Sequence, residues 1–377
     1  MDISFLVLVV IVTALAFDFT NGFHDTANAM ATSIATGALR PKVAVAISGV
    51  LNLVGAFLST EVAKTISSGI VDDANVTPAV VFGGLVGAIL WNLMTWLVGL
   101  PSSSSHALFG GLIGAVWISS GKGAVHFDKV AEKILVPAVA SPLICGVVAG
   151  VATFAVYKLT RRRAGKAVDD SFRHGQTISA SMVSLAHGTG DAQKTMGIIT
   201  LVLIADGQLH EGSGPPWWVI LLAGLAIASG TYVGGWRIIR TLGKGITDIQ
   251  APQGFAAETS TTAVLLTSAH LGFALSTTHV ASGGILGSGV GRRLAEVRWG
   301  IAGRMALAWL FTLPVAAVIG GLSGKLASSG NAGVAVVAAL ALVAVAGIYA
   351  YSRRARITAD NVNDAPTVRV QPVPTPA

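Results

Sequence analysis

The sequence predicts an all-α polytopic membrane protein built as an inverted-topology repeat, with two re-entrant or broken-helix hairpins. Three observations carry that expectation. The composition is too apolar for a soluble domain, the basic residues gather in short segments between apolar stretches, and similar polar interruptions occur in both halves.

Hydrophobic residues make up 53% of 377 and charged residues only 11%, against about 25% charged in an ordinary soluble domain. Folded in water, such a chain would expose large apolar patches; bilayer hydrocarbon covers them instead. Met1–Val10 has no basic lead, and no small-residue cleavage site follows, so the first apolar stretch reads as a retained helix. The single Cys145 supports neither a disulfide framework nor a metal cluster.

In chain order, the spanning candidates are 3–20 continuing through 27–39, then 43–66, 134–158, 175–205, 217–239, 300–322 and 332–351. Regions 78–121 and 255–291 are long enough to enter and return, and each centres on a polar cluster, Pro101–His106 and Ser276–His279. The expected organisation is a first repeat (1–160) with hairpin 78–121, a basic cytoplasmic linker (161–173), and a second, inverted repeat (174–322) with hairpin 255–291. A terminal span (323–351) and a disordered cytoplasmic tail (352–377), Pro- and Thr-rich without periodicity, complete it.

The net charge of +7 is concentrated at Arg161–Arg163 with Lys166, at Arg237/Arg240/Lys244, at Arg292/Arg293/Arg298 and at Arg353/Arg354/Arg356. This is the distribution of cytoplasmic loops. No aromatic–basic interleaving accompanies it, so nucleic acid is not a partner. It places the N-terminus and the loop around Val71–Asn75 outside, and Arg40/Lys42 and the tail inside. Lys122, Lys129 and Lys133 would then be external, partly balanced by Asp128 and Glu132.

Set side by side, Asn21–Met30 and His187–Met196 bring Gly22 onto Gly188, Asp25 onto Asp191 and Met30 onto Met196. At a slightly different offset, Ser104-Ser105-His106 meets Thr277-Thr278-His279. Each half is therefore expected to hold an Asp-bearing polar break followed by a Ser/Thr-His turn. Opposed halves of this kind bind substrate at their interface.

Asp25 and Asp191 are the leading candidates for cation or proton coupling. A carboxylate at membrane depth costs roughly 2.5–3.5 kcal/mol on insertion scales, so it normally faces a cavity, an ion or a basic partner; capping a helix near the interface is the plainer alternative. Asn28 can offer an oxygen to a cation or a hydrogen to an anion. Lys194, at the equivalent place, can pair with Asp191 or with an anionic substrate. Half-helices meeting near the midplane present free N–H groups and positive dipole ends, to which Ser103, Ser104, Ser105, Thr277 and Thr278 add hydroxyls; ordinary capping is again the plainer role. Pro101 suits a first helical turn. His106 and His279 can orient these turns or touch anion oxygens, and two histidines alone make no metal site. Glu258 is a further candidate for coupling or gating, whereas Glu61 reads as an interfacial partner of Lys64. Gly83/Gly87, Gly110/Gly114 and Gly283/Gly287 report close helix packing.

These motifs resemble those of the inorganic phosphate transporters of the PiT type. NGFHDTANAMAT and AHGTGDAQKTMG look like the two signature segments, and SSSSHALFGGLIGA and STTHVASGGILGSG like the repeated hairpin turns, over residues 15–322. The resemblance implies a non-enzymatic, multi-pass protein of the bacterial plasma membrane that imports inorganic phosphate with a coupling cation. Asp25, Asn28 and Asp191 would belong to the cation and phosphate centre, and the hairpin hydroxyls would donate to the anion. The form of the motifs is similar to the bacterial low-affinity branch, which implies coupling to protons or transport of a magnesium-phosphate complex rather than coupling to sodium. Gly190 stands where the family usually has Asn before the second Asp, which removes an amide ligand for sodium. A homodimer is compatible with this reading. Physical chemistry supports coupling: an inside-negative potential opposes anion entry by about 2.3 kcal/mol per charge per 100 mV. The polar turns alone do not separate phosphate from sulfate or another oxyanion. An anion channel would need a continuous polar lining, and a membrane enzyme a headgroup- or nucleotide-binding module.

Overall fold

The computed structural model describes residues 4–66, 76–161, 165–271, 273, 275–292 and 297–364. The loop at 71–75, Arg162, Arg163, Arg293 and residues 365–377 of the expected tail lie outside the described residues, as does the side chain of Lys64, the expected partner of Glu61.

No β-sheet is present among the described residues. Helix α1 (Phe5–Ala35) starts where the Ser4 hydroxyl accepts from the Val7 N–H at 3.3 Å. It then runs unbroken through Asp25. Helix α2 (Pro41–Ala56) opens on a proline and is followed by the short α3 (Glu61–Ile66). Next come α4 (Pro78–Leu97), capped by Thr77, and α5 (Ser104–Ser120), capped by Ser103. The short α6 (Phe127–Val130) continues through a π turn at Ala131–Leu135 into α7 (Val136–Thr160). Pro137 explains the wider turn, because it lacks an N–H and its ring displaces the carbonyl four residues earlier.

In the second half, α8 (Lys166–Ala205) is unbroken through Asp191, and α9 (Trp217–Val233) leads to α10 (Trp236–Arg240). Then come α11 (Ala251–His270), α12 (Thr277–Arg292), α13 (Trp299–Ala327) and α14 (Asn331–Ser352). Five helices of the described chain are long and apolar enough to cross a bilayer by themselves, and a bent pair makes a sixth. The chain is thus an all-α polytopic membrane protein.

Three expectations need correcting. The Asp-bearing segments are not breaks. Thr26 donates to the Gly22 carbonyl at 2.6 Å, so its hydroxyl stays within the helix, and neighbouring helices meet the remaining polar side chains. The stretch 217–239 is not one span: the chain bends by 59° between Trp217–Val233 and Trp236–Gly245, at Gly234 with φ +79°. This is the one broken pair clearly identified among the described residues, where two hairpins were expected elsewhere. At 78–121, α4 is itself 20 residues and apolar enough to span, and the chain turns back to α5 through Gly99 at φ +69°. At 255–291, the polar-rich α11 turns into α12, which at 16 residues is shorter than a span. Finally, 353–364 of the expected disordered tail folds as turns on the helix ends. Arg237 donates to the Ser352 and Ala355 carbonyls at 2.9 and 2.5 Å, Arg240 donates to the Asp364 carbonyl at 2.7 Å, and Val362 is buried.

The packing is matched between halves. Helix α1 lies on α9 as α8 lies on α2, and α13 covers α4 and α5 as α7 covers α11 and α12. Glycines set the closest crossings. A Cβ on Gly22 or Gly230 would strike the Ile227 or Phe19 carbonyl. In the other half, Gly188 and Gly55 meet Asn52 and Leu185 in the same way. These equivalent contacts point to an internal repeat. Gly188→Val should therefore lower the melting temperature of the detergent-solubilised protein, overpacking of this kind costing about 1–3 kcal/mol. Gly190→Ala, where an added Cβ meets nothing within 4 Å, should leave it unchanged.

Candidate functional site

The polar residues of α1 and α8 converge on the N-termini of α5 and α12. Asp25 is 2% exposed and Asp191 1%, so their charges have no direct access to water. The hydroxyl of Thr277 links them, lying 3.3 Å from Asp25 Oδ2 and 3.4 Å from Asp191 Oδ2. Asp25 Oδ1 accepts from Ser104 at 3.2 Å, from Thr278 at 3.3 Å and from His24 Nδ1 at 2.7 Å. Asp191 Oδ1 accepts from the Lys194 ammonium at 2.5 Å, and its Oδ2 from Asn21 at 3.4 Å.

The two halves contribute alike. Asn28 of α1 donates to Thr278 of the α12 turn at 3.0 Å, and Lys194 of α8 donates to Ser105 of the α5 turn at 2.5 Å. Each Asp-bearing helix thus reaches across to the other half's turn. Asn28 Oδ1 has no hydrogen-bond partner among the described residues. The remaining expected residues lie behind this centre. Ser103 and Ser276 cap the two helices by accepting from the N–H groups of His106 and His279 at 3.1 and 3.3 Å. The rings of His106 and His279 stand 4.7 Å apart, and His279 stacks on Trp309 at 4.2 Å. They brace the turns and make no hydrogen bond to either aspartate. Glu258 is separate as well. It gathers Thr32 at 2.5 Å, Ser33 at 2.6 Å, Gln176 at 3.1 Å and Ser179. Thr32 is seven residues beyond Asp25 on α1, roughly 10 Å along the helix.

Sequence reasoning passed over two histidines. His24 joins Asp25 to Thr95 at 3.2 Å and Ser102 at 3.4 Å. His187 brings Nε2 within 3.4 Å of Asp191 and 4.0 Å of Asp25, while Asn52 holds its Nδ1 at 3.1 Å. The signal for His187 was its spacing, one helical turn before Asp191 on the same face. Asp25, His187 and Asp191 each offer one ligand atom, all within 4.8 Å of one another. One imidazole nitrogen and two carboxylate oxygens suit a divalent cation or a shared proton. A crevice of about 20 Å³ reaches Asp191, Lys194 and Thr277 past Val62, Phe273 and Leu275, so the centre is nearly closed.

Residues 21–320, including every residue of this centre, match the Phosphate transporter family. The chain belongs to that family. A "Probable low-affinity inorganic phosphate transporter" of Mycobacterium bovis is 57% identical over 362 residues, covering 95% of this chain and 87% of that protein. Proteins of the same description from Rhizobium meliloti and Bacillus subtilis are 45% and 41% identical. They span 83% and 84% of this chain, and 93% and 96% of their own length. A solved structure described as "The sodium-dependent phosphate transporter" shares the fold, with a TM-score of 0.70 over 85% of this chain and 98% of that one at 22% identity. The chain is accordingly a phosphate-transport protein of the bacterial plasma membrane and not an enzyme.

Within this transporter, Lys194 is fully buried and held by Asp191. Removing one partner strands a buried charge, which typically costs about 3–5 kcal/mol. Lys194→Met should lower thermal stability by that order, and Lys194→Met with Asp191→Asn should recover most of the loss in a melting assay. A double variant no more stable than the single one would mean that the pair does not behave as a unit.

Proposed function

We propose that this transporter imports inorganic phosphate together with cations by alternating access, at the centre formed by Asp25, Asn28, Ser104, Ser105, Asp191, Lys194, Thr277 and Thr278. The observation that carries the reading is that the anion-directed donors are held by the cation-directed carboxylates. Ser104, Thr277 and Thr278 all donate to Asp25. A cation neutralising Asp25 and Asp191 weakens their claim on these hydroxyls, which can then turn to phosphate oxygens. Free N–H groups in the first turns of α5 and α12 add donors, and Ser103 sets the α5 turn. Lys194 supplies an ammonium. Phosphate without the cation would have to displace carboxylates that still carry their charge, so cation binding comes first.

On this reading residues 1–160 and 174–322 are two inverted repeats joined by the 161–173 linker, and 323–351 is an added span. The polar turns before α5 and α12 face each other at the centre, and one repeat rocks against the other. Glu258, binding groups from both α1 and α8, holds the second coupling or gating position, and His106 and His279 keep the turns oriented. The mixed nitrogen and oxygen donors of Asp25, His187 and Asp191 support a proton or a divalent metal accompanying phosphate over sodium at this centre. So does Gly190, which offers no amide.

The deciding experiment is phosphate uptake into proteoliposomes with pH, Mg²⁺ and Na⁺ gradients imposed separately. Saturable uptake should follow the pH or Mg²⁺ gradient, and sulfate should not compete. Asp25→Asn should abolish uptake at unchanged membrane abundance. Wild-type uptake by that variant, or uptake indifferent to every gradient, contradicts the proposal. Glu258→Gln should slow uptake while leaving phosphate binding intact, since Glu258 lies outside the binding centre.

A further inference from the structure

Gln193 stands immediately before Lys194 on α8 and is fully buried. A buried amide needs partners at both of its ends. Its Nε2 donates to the Thr189 carbonyl, one turn back on the same helix, at 2.5 Å. Its Oε1 accepts from two backbone N–H groups of α3, those of Val62 at 2.7 Å and Ala63 at 3.1 Å. Helix α3 has six residues, too few to hold itself by its own hydrogen bonds. The N–H groups of its first turn find no acceptor within the helix. The amide of Gln193 supplies one, and so seats α3 on α8.

What α3 covers gives this contact a use. Val62 and Ala63 are both buried, and Val62, Phe273 and Leu275 wall the crevice that leads to Asp191, Lys194 and Thr277. About 20 Å³ has room for a water molecule and none for a phosphate ion, so one wall must move. Leu275 lies two residues before Thr277, whose hydroxyl joins the two aspartates, and the Leu275 carbonyl accepts from Lys194 at 3.5 Å. Moving that wall would disturb the centre. Helix α3 instead follows a turn at Phe57 and Leu58, both exposed, and is fastened to α8 by Gln193. When it swings away, its N–H groups and the amide exchange each other for water, at a small net cost.

The other half is built differently at this place. Helix α10 follows α9 as α3 follows α2, and packs on α1 as α3 packs on α8. Aligned as above, α1 has Ala27 where α8 has Gln193, so it offers α10 no side-chain amide. There the backbones themselves meet: a Cβ on Gly235 would strike the Phe23 carbonyl, and Arg237 donates to the Leu97 carbonyl at 3.0 Å. We infer that α3 is a lid over the phosphate centre and Gln193 its latch, a positioning residue that keeps the lid shut until phosphate enters on that side. Arg237 and Arg240 on α10, with Arg40 and Lys42 at the start of α2, put α3 on the external face. That the lid admits phosphate rests on the reading above; that it opens does not.

The test reads access to Gly190, which lines the crevice and where an added Cβ meets nothing within 4 Å. In the full chain, Gly190→Cys is combined with Cys145→Ser, which leaves the introduced thiol as the only one. Its reaction with a membrane-impermeant methanethiosulfonate is timed in right-side-out and inside-out vesicles. Adding Gln193→Leu should speed labelling from the external face about tenfold, as the loss of a net hydrogen bond would, and leave the rate from the cytoplasmic face unchanged. Ala63→Pro removes one donor from the lid itself, in a first turn where proline is tolerated, and should speed external labelling by less. Combined with Gln193→Leu it should add nothing, because both changes break one contact; alone, it decides the matter if Gln193→Leu does not fold. Unchanged rates, faster labelling from both faces, or faster labelling from the cytoplasmic face alone overturn the inference. In uptake by Gln193→Leu the maximal rate should fall without a rise in half-saturating phosphate, since the lid must close before the site opens inward; a raised half-saturating concentration at unchanged maximal rate would make Gln193 a binding residue instead. Labelling needs no phosphate, so a protein that moves none refutes the phosphate reading and leaves the lid standing.

Discussion

The contact on which this molecule turns is that of Asp25 and Asp191 through the hydroxyl of Thr277. Two carboxylates inside a membrane protein, each nearly sealed from solvent, are tolerable only when every nearby donor is turned toward them. That need explains why α1 and α8 stay continuous where polar residues would otherwise break them. A broken helix would leave further backbone carbonyls without partners in a region where the donors are already taken by carboxylates. It also explains why the turns before α5 and α12 are built from serine and threonine. These side chains cap their own helices and donate to the aspartates without adding charge.

Bringing both carboxylates to one point requires backbones that approach closely, and glycine provides it. Gly22 and Gly230 let α1 lie on α9, while Gly188 and Gly55 let α8 lie on α2. Hydroxyl and amide groups then lock the crossings. Thr231 donates to the Gly22 carbonyl at 3.3 Å and accepts from Asn52 at 2.8 Å, and Asn52 in turn holds His187. One chain of contacts therefore runs from the α1–α9 crossing through α2 to the imidazole beside Asp191, tying the geometry of the site to the packing of the repeat.

Much of this was legible in the sequence because lipid makes polar residues conspicuous. Asp25, Asp191, Lys194 and the two Ser/Thr-His turns stood out against apolar surroundings, and the structure brings Asp25, Asp191, Lys194, Ser104, Ser105, Thr277 and Thr278 together. What sequence could not give was which face each residue takes. His106 and His279 pack on each other, His279 also on Trp309, and Ser103 caps its own helix. His187 went unremarked because a lone imidazole in a helix acquires meaning only from its neighbours on another helix. The break at Gly234 was likewise hidden, since two adjacent glycines in an apolar run read as easily as close packing. The order of residues 353–364 was not legible because Arg237 and Arg240 hold their backbone carbonyls, a contact that composition does not reveal.

The repeat is exact enough to build the centre and inexact where chemistry demands it. Asn28 and Lys194 occupy equivalent places and reach equivalent hydroxyls, Thr278 and Ser105, yet one is neutral and the other charged. By the same alignment Asn21 answers to His187 and His24 to Gly190. Each difference changes the groups around an aspartate: His24 lies against Asp25, while Lys194 and His187 lie against Asp191. A perfectly symmetric centre would hold an anion equally between its halves. Here the ammonium at Asp191, that of Lys194, belongs to the second half, and the carboxylate with hydroxyls from both turns belongs to the first. On the proposed reading, phosphate and coupling cation meet at one pseudo-symmetric centre, close enough for each to screen the other. That division of charge lets the fold keep the symmetry that alternating access needs while still recognising two ions of opposite sign.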